Sequence, residues 1–139
     1  MHILDTDILT HLYAGHPRVI NRLQNLENSS VCITIVTKIE LLQGRFAFLL
    51  KAATGNELKR AQQWLLRTEE LLSQIVVIPF DEAALNQFDR LRSNAKFGKI
   101  GHADKLIASI ALANRATVVT RNIRHFRQIP NLNVVNWID

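Results

Sequence analysis

Residues 1–15 read MHILDTDILTHLYAG. Two apolar residues, Ile3 and Leu4, run into Asp5-Thr6-Asp7, and apolar residues resume at Ile8, Leu9 and Leu12. HILD has the look of a short strand covered on both faces. The spacing of Ile8, Leu9 and Leu12 predicts a helix with Thr6 or Asp7 near its cap and Gly15 past its end. A strand that hands over to a helix through an acidic junction is the opening unit of an α/β fold. The junction also raises a chemical question. An ionised carboxylate among apolar neighbours loses water on folding, at a cost, unless a partner holds its charge.

The alternation continues along the chain. Pro17 suits the start of a helix over PRVINRLQNLE (17–27), whose Val19, Leu23 and Leu26 share a face. CITIV (32–36) reads as a second strand. A long helix follows from about Lys38 to Ala53, then a break at Thr54-Gly55-Asn56, then a helix through Gln74 with Leu58, Ala61, Leu65 and Leu72 inward, giving a helical hairpin. IVVIP (75–79) is a third strand stopped by Pro79, and Asp81 caps the helix DEAALNQFDRLRSNA (81–95). After the glycine-bearing loop FGKIG come the helix HADKLIASIALANR (102–115), a strand TVVT (117–120), a helical turn NIRHF (122–126) and a last strand in NVVNW (133–137). Short apolar strands alternating with helices predict a parallel sheet covered on both faces. Ligands of such sheets sit outside the carboxyl ends of the strands.

At 139 residues the chain is long enough to bury one real core, and a single domain over 1–139 is expected, without repeat, linker or low-complexity segment. With 47% hydrophobic and 21% charged residues it reads as globular. No stretch reaches the ~20 apolar residues that cross a bilayer, and the N-terminus has no signal-peptide pattern, so no membrane role is expected. The one cysteine, Cys32, forms no internal disulfide and reads as a buried thiol, consistent with a reducing cytoplasmic compartment. Seventeen Lys and Arg against twelve Asp and Glu leave a net charge of +5, which favours a polyanionic partner.

On this topology Asp5 ends the first strand, Glu40 follows the second, Asp104 lies in the first turn of the sixth helix, and Thr120 and Asn122 follow the fourth strand. All are expected at one edge. Three carboxylates meeting in a half-dry pocket raise one another's pKa unless a cation intervenes, and oxygen-only ligands suit Mg²⁺ or Mn²⁺. The chemistry implied is metal-dependent phosphoryl hydrolysis. Structural explanations compete. Thr37-Lys-Ile-Glu40 fits a capping box, Asp104 complements a helix dipole, and Asp7 is better read as an N-cap than as a ligand. Asp5 is hardest to dismiss.

LDTDIL (4–9), VTKIELLQG (36–44), GHADKLIASIALA (101–113) and VVTRNIRHF (118–126) followed by a terminal NW occur in this order along nearly the whole chain. In this the chain resembles the PIN-domain ribonucleases, particularly the VapC-type toxins of bacterial toxin–antitoxin pairs. The resemblance implies a PIN-like three-layer fold, in which a short central parallel sheet is flanked by helices. It also implies an endoribonuclease with Asp5, Glu40 and Asp104 as its acidic site, Mg²⁺ or Mn²⁺ as cofactor, an antitoxin partner and a homodimer. Asp5 and Asp104 would contact metal, Glu40 would orient the attacking water, and Asp7, Thr120 and Asn122 would support the site. Many family members carry a fourth acid near Asn122, which here brings no charge.

Candidates for contacts with RNA phosphates are Arg121 above all, then Arg124, Lys99 and Lys105, with Lys96 and Arg127 read equally well as a solvated face. The histidines at 2, 11, 16, 102 and 125 show no paired metal-binding spacing. Phe46, Phe48, Leu49 and Leu50 on one arm of the hairpin and Trp64, Leu65 and Leu66 on the other exceed what one face can bury. The remainder would suit a dimer or an antitoxin groove. Two rival readings are weaker. A phosphatase of the haloacid-dehalogenase type needs D-x-D-x-T, but Leu9 stands at the Thr, and after Asp104 the one acid is Asp139. A PIN-like module that binds RNA or protein without cutting would not need all three acids.

Overall fold

A computed structural model of the protein describes residues 1–26 and 30–139. Five short strands form one parallel sheet: β1 (His2–Leu4), β2 (Val31–Thr34), β3 (Val76–Ile78), β4 (Thr117–Val119) and β5 (Asn133–Val135), in the order β3-β2-β1-β4-β5. Ile3 lies beside Cys32 on one side and Val118 on the other. The chain works outward from β1 to β3, then crosses back to β4 and β5. The direction of winding therefore reverses between β1 and β4, and a crevice opens at their carboxyl ends.

Period-two alternation sends successive strand residues to opposite faces. Ile3, Cys32 and Val118 pack on one side with Ala84, Leu91, Ile107, Ile110 and Phe126. These come from α5 (Glu82–Ser93), α6 (His102–Ala113) and α7 (Ile123–Phe126). Leu4, Ile33 and Val119 pack on the other with Ile8, Leu9, Val19, Leu41 and Leu72, from α1 (Thr6–Tyr13), α2 (Pro17–Gln24), α3 (Ile35–Lys51) and α4 (Gly55–Ser73). Three layers result, as expected. Glu27, assigned by sequence to the end of α2, lies outside the described residues.

Three sequence expectations need correction. The second strand stops at Thr34, and Ile35 and Val36 already belong to α3, whose N-cap is Thr34, its hydroxyl accepting from Thr37 N–H at 3.2 Å. β-branched residues look like strand, but Ile35 and Val36 reach the core from the first helical turn equally well. The supposed capping box at Thr37 and Glu40 therefore does not exist; the box in this chain is Thr54 with Glu57, which starts α4. Leu58, expected inward, is 44% exposed, whereas Ala61 and Leu72 are buried as read, joined by Thr68. Elsewhere the local chemistry is as read: Asp81 accepts from Ala84 N–H at 3.0 Å, Gly15 follows α1 at φ +82°, and Cys32 is buried.

The hairpin of α3 and α4 leaves Phe46, Phe48, Leu50, Trp64 and Leu66 exposed. Phe48 and Trp64 stack with ring centroids 6.1 Å apart. The Arg45 guanidinium lies 4.7 Å from the Trp64 ring centre and donates from Nε to Thr68 Oγ1.

Helix α6 ends in a Schellman motif: Ala116 N–H reaches Ala111 O at 2.9 Å, and Arg115 N–H reaches Leu112 O at 3.2 Å. This places Arg115 at φ 52°, where a side chain crowds its own backbone and glycine does not. Arg115→Gly should stabilise the protein by about 0.5–1 kcal/mol, a rise of about 2–3 °C in Tm after the extra flexibility of the unfolded glycine is subtracted. A lower Tm in a calorimetric scan would show that the arginine side chain, not the turn, governs this end.

Candidate active site

The crevice between β1 and β4 gathers side chains from four separate segments. Asp5 follows β1 directly, is 8% exposed and occupies the N-cap position of α1, with Oδ1 accepting from Thr6 N–H at 2.8 Å. Sequence placed Asp7 at that cap. Asp7 instead sits in the first turn, where Oδ1 accepts from Ile8 N–H at 2.8 Å and Oδ2 faces Arg121 N–H at 3.4 Å. The helix begins one residue earlier than Asp7 could serve because β1 ends at Leu4, which leaves Asp5 as the last extended residue.

Across the crevice, the buried Thr120 hydroxyl donates to Asp5 Oδ2 at 2.7 Å and accepts from Asn122 N–H at 2.9 Å. Asn122 Nδ2 in turn donates to Asp104 Oδ2 at 3.1 Å. One continuous set of hydrogen bonds thus runs Asp5–Thr120–Asn122–Asp104, joining carboxylates 99 positions apart in the sequence. Thr120 and Asn122, expected to support the site, each donate a hydrogen bond to an acid.

Glu40 reaches the same edge by another route. It lies in the second turn of α3, exposed, with Oε1 accepting from Thr6 Oγ1 at 2.8 Å. The Thr6 hydroxyl also contacts Thr37 Oγ1 at 3.1 Å. Glu40 is therefore tied to α1 rather than to its own helix start. His125 is the residue that sequence reasoning missed. One turn of α7 places it at i+3 from Asn122, with Nδ1 2.8 Å from Asn122 Nδ2 and 3.3 Å from Asp104 Oδ2. The spacing Asn-x-x-His was the available signal, invisible to a search for paired histidines.

Burial pushes the Asp5 carboxyl up from 3.8 to about 6; the hydrogen bond from Thr120 opposes this, Asp7 adds to the rise, Thr6 N–H opposes it, and Asp104 adds a last increment. Two hydrogen bonds satisfy its oxygens without neutralising its charge. A cation would do so, and the donors at hand, carboxylate, hydroxyl and amide oxygens, are those of a hard divalent ion. Among the described residues no three His, Cys, Asp or Glu side chains form a ligand set by themselves, so neutral oxygens or water would complete the coordination. These residues fit Mg²⁺ or Mn²⁺ held by Asp5 and Asp104.

The candidate phosphate contacts lie outside this ring of acids. Arg121 pairs with Asp139 at 3.5 Å from Nε, with its side chain 47% exposed. Arg124 and Lys99 are exposed and Lys105 is half-buried on α6. His102 packs edge-on against Phe88. No helix among the described residues is long and apolar enough to cross a membrane.

Comparison with known proteins places this geometry in a context. Residues 2–132 match the family described as the PIN domain. The chain is 32% identical over 141 residues to Ribonuclease VapC2 of Rickettsia felis, covering 99% of this chain and 98% of that protein. It is 27% identical over 137 residues to the tRNA(fMet)-specific endonuclease VapC of Shigella flexneri, covering 97% and 96%. Its structure is similar to that of VapBC2 from Rickettsia felis bound to a DNA fragment from their promoter, with a TM-score of 0.76, 31% identity and 98% coverage of both chains.

The raised pKa of Asp5 gives a pH dependence with a definite sign. Between about pH 4 and 6 the folded, metal-free protein holds a proton on Asp5 that the unfolded chain has released, so stability falls as pH rises through this window. Above it, the buried charge costs the fold about 3 kcal/mol. Asn caps helices as well as Asp does. Asp5→Asn in EDTA should therefore be more stable than wild type by about 2–3 kcal/mol at pH 7.5, with the gain vanishing near pH 4. Urea melts at the two pH values decide this; an equal effect at both would mean that Asp5 carries no buried charge.

Proposed function

The chain belongs to the PIN domain family, and from that premise we propose that it is a metal-dependent endoribonuclease, the toxin of a toxin–antitoxin pair. The observation that carries this reading is the bridged pair Asp5 and Asp104 at the crevice between β1 and β4. Asp5 pays for burial that its capping role does not require. An N-cap works on the surface as well as inside; a ligand for a cation in a half-dry crevice does not.

Asp5 and Asp104 would hold the cation, with Asp7, Thr120 and Asn122 keeping them in place. A divalent ion bound there would supply an acidified water and neutralise a non-bridging phosphate oxygen. Thr6 fixes Oε1 of Glu40, so Oε2 is the atom placed to orient the attacking water and take its proton. Attack at phosphorus breaks the bond to the 3′ oxygen, which takes a proton from solvent water and leaves as the hydroxyl. Arg121 exchanges its exposed contact with Asp139 for an RNA phosphate, and Arg124, Lys99 and Lys105 extend the cationic rim, in keeping with the net charge of +5.

A VapC-type toxin has an antitoxin, and the hairpin offers a surface for one. A cavity of about 360 Å³ between α1, α3 and α4 is lined by Tyr13, Arg45, Trp64 and Leu71 among others, with the exposed Phe48 against Trp64. Antitoxin and a second copy of the chain together account for these apolar side chains. The buried thiol of Cys32, pushed up to about 11 by burial, fits a reducing cytoplasm, and one domain over 1–139 suffices for the activity.

With Mg²⁺ or Mn²⁺ the purified protein should cut single-stranded RNA, and EDTA should stop it. Asp5→Asn and Asp104→Asn should each reduce the cleavage rate by at least about a hundredfold while remaining folded. Asp81→Asn, which alters only the cap of α5, should cut at the wild-type rate. RNA cleavage by Asp104→Asn at the wild-type rate would overturn the assignment.

A further inference from the structure

Asp104, Asn122 and His125 come within reach of one another from two elements, the first turn of α6 and the start of α7. Asn122 Nδ2 lies 3.1 Å from Asp104 Oδ2 and 2.8 Å from His125 Nδ1, and the third side of the triangle, His125 Nδ1 to Asp104 Oδ2, is 3.3 Å. The amide NH₂ gives one hydrogen to each acceptor. For that, His125 must present an unprotonated Nδ1 and keep its ring proton on Nε2. Two lone pairs, one from oxygen and one from nitrogen, therefore converge on a single positive group. A side-chain amide has a second face. Turned over about its terminal bond, Asn122 places Oδ1 at the same corner, and the triangle becomes three donors.

The dimensions of that triangle have a meaning. Six ligands at about 2.1–2.2 Å from a cation stand roughly 3.0 Å from their neighbours, so one face of an octahedral site is a triangle with edges of roughly that length. We propose that His125 is a metal ligand: Asp104 Oδ2, Asn122 Oδ1 and His125 Nδ1 form one face of the cation site, and the nitrogen donor tilts it toward Mn²⁺ over Mg²⁺. This rests on the reading of the chain as a metal-dependent nuclease. The selectivity follows from donor chemistry. Mg²⁺ is a hard ion held by oxygen, whereas first-row transition ions gain from imidazole. Asp104 carries the single charge of the face, and the backbone N–H of Asn122, which turning the side-chain amide over leaves in place, keeps its bond to Thr120 beside Asp5. His125 thus offsets part of what Asn122 lacks in charge by adding a neutral but strong donor.

The test measures binding rather than turnover. Mg²⁺ and Mn²⁺ are titrated calorimetrically into the whole chain as wild type, His125→Ala and His125→Gln, and the Mn²⁺ complexes are examined by pulsed electron paramagnetic resonance for a directly bound ¹⁴N. Wild type should show imidazole nitrogen coupling. His125→Ala should lose that coupling and about tenfold in Mn²⁺ affinity, with Mg²⁺ affinity changed by less than about threefold. His125→Gln, which offers oxygen in place of nitrogen, should narrow the preference for Mn²⁺ further. The His125 side chain is 40% exposed, so the metal-free variants should melt as wild type does and the comparison stays one of folded proteins. Mn²⁺ bound to wild type without nitrogen coupling, and unchanged affinities in His125→Ala, would remove His125 from the site and leave the cation site standing. If neither ion binds wild type, this assignment and the metal-dependent reading fall together.

Discussion

The hydrogen bond of 2.7 Å from the buried Thr120 hydroxyl to Asp5 is the contact on which the crevice depends. It ties the ends of the two central strands at the point where the winding of the sheet reverses and adjacent loops diverge. Without it, Asp5 would have one oxygen occupied by Thr6 N–H and the other buried without that hydrogen bond. With it, the hydrogen-bonding capacity of the carboxylate is met and its charge is not. That imbalance separates a structural acid from one kept for chemistry. Satisfied polarity lets the chain fold, and unsatisfied charge leaves an affinity for a cation.

The other acids are handled in the same way, by neutral groups. Thr6 holds Glu40, and Asn122 holds Asp104. Among the described residues the arginines and lysines of this region stay outside the ring: Arg121 turns to Asp139, and its backbone rather than its guanidinium approaches Asp7. A lysine or arginine inside would neutralise the acids permanently and leave nothing for a divalent ion to do. On the proposed reading the basic side chains serve the polyanion and the acidic ones the metal.

Much of this was legible from residues alone. The apolar pairs Ile3-Leu4 and Val118-Val119 pointed to strands covered on both faces, and the motifs around Asp5, Glu40 and Asn122 fell just after strands, at the functional edge of a parallel sheet, where the start of α6 adds Asp104. What escaped reading was decided by single hydrogen bonds. Asp5 and Asp7 are equally good caps on paper, and the length of β1 chose between them. Thr34 and Thr37 are equally good starts for α3, and Ile35 and Val36 disguised the true one as strand. The partner of Glu40 is Thr6, 34 residues away, which no local pattern contains. His125 entered the site through one turn of a four-residue helix, too short to show periodicity.

The central claim is that Asp5 is a buried carboxylate held for a cation, and its own titration is the most direct measure of it. Following the Asp5 side-chain carboxyl by ¹³C nuclear magnetic resonance in the metal-free protein should give a midpoint near 6, and saturating Mg²⁺ should drive the midpoint well below the ordinary value of 3.8. A midpoint at 3.8 that Mg²⁺ leaves unmoved would mean that the crevice holds no strained charge, and the account of the site would be wrong.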